Sequence, residues 1–261
     1  MIKHRTSWSV LFGCVVSLSI LAGASESTTC AGTVSRLVPD GRIVRSSIPD
    51  ATTFFWQFDG FAGKSYSIEL TSEVDNGFPA TIIVYNTVDD CTTLTSTLTL
   101  NVNTGTDPVL LSTGLRRTFI APNNGSYIIR MTNTSGAAHL YNLRVTDTTL
   151  YNPRWSTYSG FITQWGFRNT TNTAVNVTLT ATRVLPPGAS TPITFAVPAH
   201  GEVFKLIAAS GGDINVGANQ AGYAEAAHDG PPGAIAADAY FINANATVIV
   251  PSPFEPRNSV H

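Results

Sequence analysis

The chain has 261 residues, of which 43% are hydrophobic and 12% are charged, with a formal net charge of −2 at pH 7. Soluble domains carry about 25% charged residues, so Thr, Ser, Asn and Gly must form much of this surface. The near-neutral balance argues against a nucleic-acid-binding protein, which would show a basic stripe. It also argues against an electrostatic membrane anchor.

The first predicted element is a secretory signal peptide at residues 1–24. Lys3 and Arg5 give it a positive start, residues 8–21 are an apolar run without charge, and Ala22-Gly23-Ala24 supplies the small residues of a cleavage site. The run is too short for a comfortable membrane span. We therefore expect a protein with no membrane span after cleavage, exported to the extracellular space, the periplasm or the cell surface. Cleavage would leave 237 residues with a formal charge of −4.

Alternation of apolar and polar residues with a period of two dominates the rest of the chain, and helical periodicity is scarce. In the first half this pattern predicts strands over residues 54–58, 66–70, 81–85, 118–120, 127–131 and 141–145. In the second half it predicts strands over residues 161–169, 175–181, 193–197, 203–207, 222–228, 234–242 and 248–250. The Thr-rich residues 92–106 are predicted to hold either a strand or a long loop.

Short strands at roughly ten-residue spacing predict an all-β protein of two tandem antiparallel β-sandwiches, jelly-roll or Ig-like. We expect the first sandwich at residues 25–148, a linker at 149–154 and the second sandwich at 155–256. Residues 257–261 are predicted to be a flexible tail.

Three cysteines mark the chain, and Cys14 lies in the predicted signal peptide and would be lost with it. Cys30 and Cys91 remain as an even pair in an oxidising compartment, so we predict a disulfide between them. The alternative is two unpaired, buried thiols.

Residues 33–147 contain four runs in a characteristic order: FWQFD at 55–59, AGKSYSI at 62–68, IAPNNGSYIIR at 120–130 and YNLRV at 141–145. This order resembles the bacterial pre-peptidase C-terminal domain, a small secreted β-sandwich. The resemblance implies an accessory or binding module without catalytic activity of its own. No peptidase or other enzyme domain fits in the remaining chain.

Residues 155–256 resemble other β-sandwiches of bacterial secreted and surface proteins, but they indicate no particular family. Its most distinctive runs are WGFRNT at 165–170 and HDGPPGAI at 228–235.

Catalytic signatures are absent from the sequence: no G-x-S-x-G, H-E-x-x-H or C-x-x-C occurs. His200 and His228 sit beside predicted turns, near Asp213, Asp229 and Asp238. A catalytic His–Asp pair is conceivable there, but a histidine that binds a turn backbone is the favoured interpretation. We predict no catalytic residue, no metal ligand and no cofactor.

Calcium is the one cofactor alternative, because secreted sandwiches often hold it with loop carboxylates. Asp75, Asp89 and Asp90 are the candidates. Since the D-x-D-x-D-G loop is missing, turn capping is the better interpretation of all three.

Four aromatic residues near the predicted linker form a candidate ligand platform: Tyr151, Trp155, Tyr158 and Trp165. Exposed aromatic faces stack on sugar rings, and a Thr- and Asn-rich surface suits hydroxyl groups. The alternative is that these rings belong to a core or seal an interdomain contact.

These observations predict a secreted bacterial protein without enzymatic activity, with an extracellular binding, adhesive or structural role. Its expected partner is a polysaccharide or a surface protein, with no nucleic acid. The alternatives are a carbohydrate-binding accessory module, an undetected secreted hydrolase and a subunit of a filament or surface layer.

Overall fold

A computed structural model describes residues 26–30, 35–72, 80–87, 94–101, 114–243, 249–251 and 254–256. This part of the chain is all-β, which confirms the predicted fold class. The predicted signal peptide and the tail at 257–261 lie outside the described residues. The described part contains no helix with the length and hydrophobicity of a membrane span.

Nine described strands precede residue 148. They are β1 (Ser35–Arg36), β2 (Val44–Ile48), β3 (Thr53–Gly60), β4 (Ser65–Ser72), β5 (Ala80–Thr87), β6 (Leu94–Asn101), β7 (Gly114–Ile120), β8 (Gly125–Asn133) and β9 (His139–Asp147). β6 lies within the Thr-rich stretch, for which a strand or a long loop was predicted, so this part of the stretch is a strand.

Eleven described strands and a 3-10 helix at Tyr158–Gly160 follow. The strands are β10 (Leu150–Ser156), β11 (Phe161–Asn169), β12 (Val175–Arg183), β13 (Gly188–Ala189), β14 (Ile193–Val197), β15 (Glu202–Ala208), β16 (Ile214–Asn215), β17 (Ala221–His228), β18 (Ile235–Asn243), β19 (Ile249–Pro251) and β20 (Glu255–Pro256).

Strands β1 to β9 form two sheets, with strand orders β1-β3-β8-β5-β6 and β2-β9-β4-β7. Alternate residues of both sheets point into one shared core, as the period-two pattern requires. Trp56, Tyr66, Tyr127 and Tyr141 are its largest fully buried side chains. We call this pair of sheets the N-terminal sandwich.

Strands β10 to β20 form a second pair of sheets around a separate core. One sheet has the order β13-β12-β17-β10-β20, with β14 also beside β12, and the other has the order β16-β15-β11-β18-β19. Trp155, Trp165 and Phe167 are fully buried between them. We call this pair the C-terminal sandwich.

The pairing is antiparallel with two exceptions among the described strands. The two-residue strands β1 and β16 pair in parallel with β3 and β15.

Residues 149–154 were predicted as a linker, but Leu150–Ser156 form strand β10, which pairs with β17. Pro153 lacks a backbone N–H and cannot donate to a strand ladder. The register of the β10–β17 pair shifts between Asn152 and Trp155, so Pro153 lies in a β-bulge. Only residues 148 and 149 connect β9 to β10. The predicted domain boundaries themselves stay a prediction.

The C-terminal segment crosses from one sheet of the C-terminal sandwich to the other. β19 pairs with β18, and β20 pairs with β10. Between them the buried Phe254 lies 6.2 Å from the Trp165 ring and 5.5 Å from the Phe167 ring, measured between centroids. This segment therefore closes one side of the core.

Candidate functional site

A cleft of about 450 Å³ lies where the end of the N-terminal sandwich meets the C-terminal sandwich. We call it the junction cleft. It is lined by Thr146, Asp147, Thr148, Leu150, His228, Pro232, Gly233, Ile235, Ala236, Ala237, Asp238, Phe254 and Pro256. Ligand pockets commonly have such a volume and such a position between two structural units.

One wall of the junction cleft is apolar and packs against the C-terminal core. Phe254 packs on the core rings, and its backbone N–H donates to the carbonyl of Ala237 at 3.1 Å. Leu150 and Ile235 are buried beside it. Leu150, Ile235 and Phe254 thus give this side of the cleft an apolar lining.

Two carboxylates also line the junction cleft. Asp147 is 3% exposed, and its Oδ1 accepts a hydrogen bond from the backbone N–H of Thr149 at 3.0 Å. Asp238 lies on the solvent-facing side of β18. The cleft therefore presents one buried and one exposed acidic group.

His228 lies at the end of β17, and only 1% of it is exposed. Its Nδ1 lies 3.1 Å from the carbonyl oxygen of Gly230. Burial lowers the pKa of His228 from 6.5 to about 4, against the opposing effects of the Gly230 carbonyl, the Asp229 charge and the Thr148 backbone. The imidazole is therefore neutral at neutral pH.

Residues 147–149 are tied to β4 by hydrogen bonds, and this fixes the floor of the junction cleft. The backbone N–H of Thr148 donates to the Ser65 carbonyl at 2.8 Å, and its hydroxyl donates to the Ser65 hydroxyl at 2.9 Å. The N–H of Ser65 donates to the Thr149 hydroxyl at 2.9 Å. All three residues are buried.

Lys64 joins the two sandwiches next to these hydrogen bonds. Its Nζ forms an ion pair with Glu225 of β17 and lies 5.0 Å from the centroid of the Tyr151 ring. The exposed fractions of the two charged side chains are 14% and 24%. Partial burial strengthens such a pair relative to one in open solvent.

We expect a double-mutant cycle of Lys64→Met and Glu225→Gln to give a coupling of about 1 kcal/mol in the free energy of unfolding. Methionine keeps the apolar stem and removes the charge. The control cycle is Arg36→Met with Asp59→Asn, a pair whose side chains are 66% and 58% exposed. It should couple by less than about 0.5 kcal/mol. Equal couplings in urea unfolding would contradict a special role for the Lys64 pair.

The predicted aromatic platform is not assembled in the structure. Trp155 and Trp165 are fully buried in the C-terminal core, and the Trp155 Nε1–H donates to the Tyr223 carbonyl at 2.8 Å. Tyr151 is half-buried under Lys64. Tyr158 alone of the four is well exposed, at 49%. The alternative interpretation, core and interface, describes three of these rings.

The other predicted site residues fall largely outside the described part of the chain. Cys91 lies outside the described residues, so its disulfide with Cys30 stays a prediction. The calcium candidates Asp75, Asp89 and Asp90 also lie outside the described residues. Within the described residues, no group of three or more His, Cys, Asp or Glu side chains could hold a metal ion.

The histidines named for the hydrolase alternative bind neutral groups. His200 lies in a turn at φ 52°, and its Nε2 is 2.6 Å from Asn172 Oδ1. Asp229 accepts hydrogen bonds from the backbone and side-chain nitrogens of Asn176. Asp213 binds Lys205 and the backbone of β15. Among the described hydrogen bonds, neither His200 nor His228 is paired with an aspartate.

Sequence reasoning did not identify Lys64, Asp147 or Phe254 as site residues. Phe254 carried a usable signal, because a single aromatic residue in a proline-containing polar tail is a candidate anchor. Lys64 and Asp147 carried none, since their roles depend on partners distant in the chain.

No protein-family model matches the chain, and no curated protein matches it. Among solved structures, one match is the pre-peptidase C-terminal domain of a collagenase from Bacillus anthracis. It has a TM-score of 0.33 and 15% sequence identity, and the match covers 42% of this chain and 92% of that domain. The matched domain belongs to the family that residues 33–147 resemble. Likeness at this level carries no argument about activity or ligand.

Proposed function

We propose that this chain is a secreted, non-catalytic protein that binds a ligand or partner extracellularly through the junction cleft. The observation that carries this proposal is the cleft itself. It has an apolar wall, a few buried polar groups and the volume of a small-ligand site. Export is supported by the composition of residues 1–24.

A binding role fits the chemistry of the groups in the junction cleft. The imidazole of His228 faces the Gly230 carbonyl, which gives it no reactive partner in that contact. The hydroxyl of Thr148 is engaged by Ser65. These contacts fix the positions of two side chains that line the cleft.

A cleft-blocking variant tests this proposal. Ala236 lines the junction cleft and is exposed, so Ala236→Trp would fill the cleft without disturbing either core. Ala196→Trp is the matched control, since Ala196 is exposed on β14 and does not line the cleft.

The purified protein should be screened against glycan and extracellular matrix-protein arrays, a small-molecule fragment set and a panel of hydrolase substrates. We expect at least one ligand whose binding weakens ten-fold or more in Ala236→Trp and is unchanged in Ala196→Trp. Binding that survives Ala236→Trp would move the site away from the junction cleft. Turnover of any substrate would contradict the non-catalytic role.

A further inference from the structure

We infer that the junction cleft binds a small organic ammonium ion with an apolar body. This inference rests on the proposed function. The described lining contains two carboxylates, Asp147 and Asp238, and neither Lys nor Arg. The remaining polar side chains of the lining are the hydroxyls of Thr146 and Thr148 and the imidazole of His228. Carboxylates attract a cation and repel an anion, and hydroxyl oxygens can accept hydrogen bonds from an ammonium group.

The position of the charges favours a cation at the mouth of the cleft. Asp238 lies on the exposed side of β18, so an ammonium group can reach its carboxylate while keeping part of its hydration. Asp147 is the second carboxylate of the lining, is 3% exposed, and accepts a hydrogen bond from the Thr149 N–H. The neutral His228 adds no opposing positive charge at neutral pH.

The apolar wall explains why the ligand needs an apolar body. Leu150, Ile235 and Phe254 present carbon surface on the side of the cleft that the C-terminal segment closes. Removal of apolar area from water stabilises a complex by roughly 25 cal/mol per Å². A bare ammonium ion would gain nothing from this wall, whereas an arylalkyl ammonium ion gains from the wall and from the carboxylates.

Three probes of one shape separate these contributions: phenethylammonium, phenethyl alcohol and phenylpropionate. Their affinities for the full protein can be measured by NMR titration at neutral pH and low salt. We expect the ammonium probe to bind about ten-fold more tightly than the alcohol, and the carboxylate probe more weakly than both.

The matched variants are Asp238→Asn and Glu202→Gln, which each remove one negative charge. Glu202 is exposed on β15 and does not line the cleft. Asp238→Asn should bring the ammonium affinity to within about two-fold of the alcohol affinity, whereas Glu202→Gln should leave the ten-fold difference in place. Ala236→Trp should weaken all probes that bind.

The outcomes separate the ligand class from the proposed function. Equal affinity for the ammonium and alcohol probes, lost in Ala236→Trp, would overturn the ligand class and leave the binding cleft intact. Absence of probe binding would also overturn the ligand class. In that case the array screen decides the proposed function, which fails only if no ligand there is sensitive to Ala236→Trp.

Discussion

Trp155→Ala should lower the free energy of unfolding by about 3–5 kcal/mol. The ring is fully buried in the C-terminal core, so its removal costs the transfer of an indole from water and leaves a cavity. The substitution also leaves the Tyr223 carbonyl without its indole donor. Gly222 packs closely against this ring, since a Cβ there would lie 2.8 Å from the Trp155 ring and 1.8 Å from the Thr182 carbonyl oxygen.

Tyr158→Ala is the matched control, since this ring is 49% exposed and starts the 3-10 helix outside the core. We expect it to change stability by less than about 1 kcal/mol. Urea unfolding followed by tryptophan fluorescence measures both variants. A folded Trp155→Ala protein with an unchanged midpoint would show that the indole does not support the core and would restore its candidacy as a ligand platform.

Acidification from about pH 7 to about pH 4 should cost roughly 3 kcal/mol of stability through His228. Its pKa falls from 6.5 in the unfolded chain to about 4 in the folded protein, because burial disfavours the imidazolium. Above about pH 6.5 both states hold a neutral imidazole, so nothing is lost. Below that pH the imidazole is protonated in the unfolded chain but stays neutral in the folded protein, so the free energy of unfolding falls. The loss then accumulates until about pH 4, where the folded form also titrates.

His228→Gln separates this effect from the titration of carboxylates, which also lowers stability in acid. Its unfolding free energy should depend less on pH between about 7 and 4 than that of the unsubstituted protein. The difference should approach 3 kcal/mol. His200→Asn, at an exposed position with positive φ, should keep the original pH dependence. Parallel pH curves for the unsubstituted protein and His228→Gln would disprove a buried neutral imidazole.

Much of the secondary structure was predictable, because alternation is a local property of a strand. The clearest predicted strand, residues 175–181, lies within β12, where Val175, Val177 and Leu179 are buried and Asn176 is exposed. Strand β10 was missed because Pro153 breaks the alternation. The β-bulge that accommodates this proline forms only against β17.

The burial of Trp155 and Trp165 was not predictable from their clustering. An aromatic residue can face a ligand or a core, and the choice depends on which sheet lies opposite. Here the sheets of the C-terminal sandwich close over both rings, and Phe254 completes the packing around Trp165.

The junction cleft depended entirely on tertiary structure. Lys64 meets Glu225 of β17 only because the two sandwiches pack against each other, and Ser65 meets Thr148 only because β4 pairs with β9. Such contacts join positions that no local pattern relates.

The amino-acid sequence alone predicted the all-β class, most strand positions and the candidate export signal. All three depend on short-range periodicity and local composition. The faces that meet, the rings that are buried and the charges that line the cleft were decided by long-range packing. The physical reason is that period two tells which residues share a face of a strand, whereas the partner of that face depends on the whole chain.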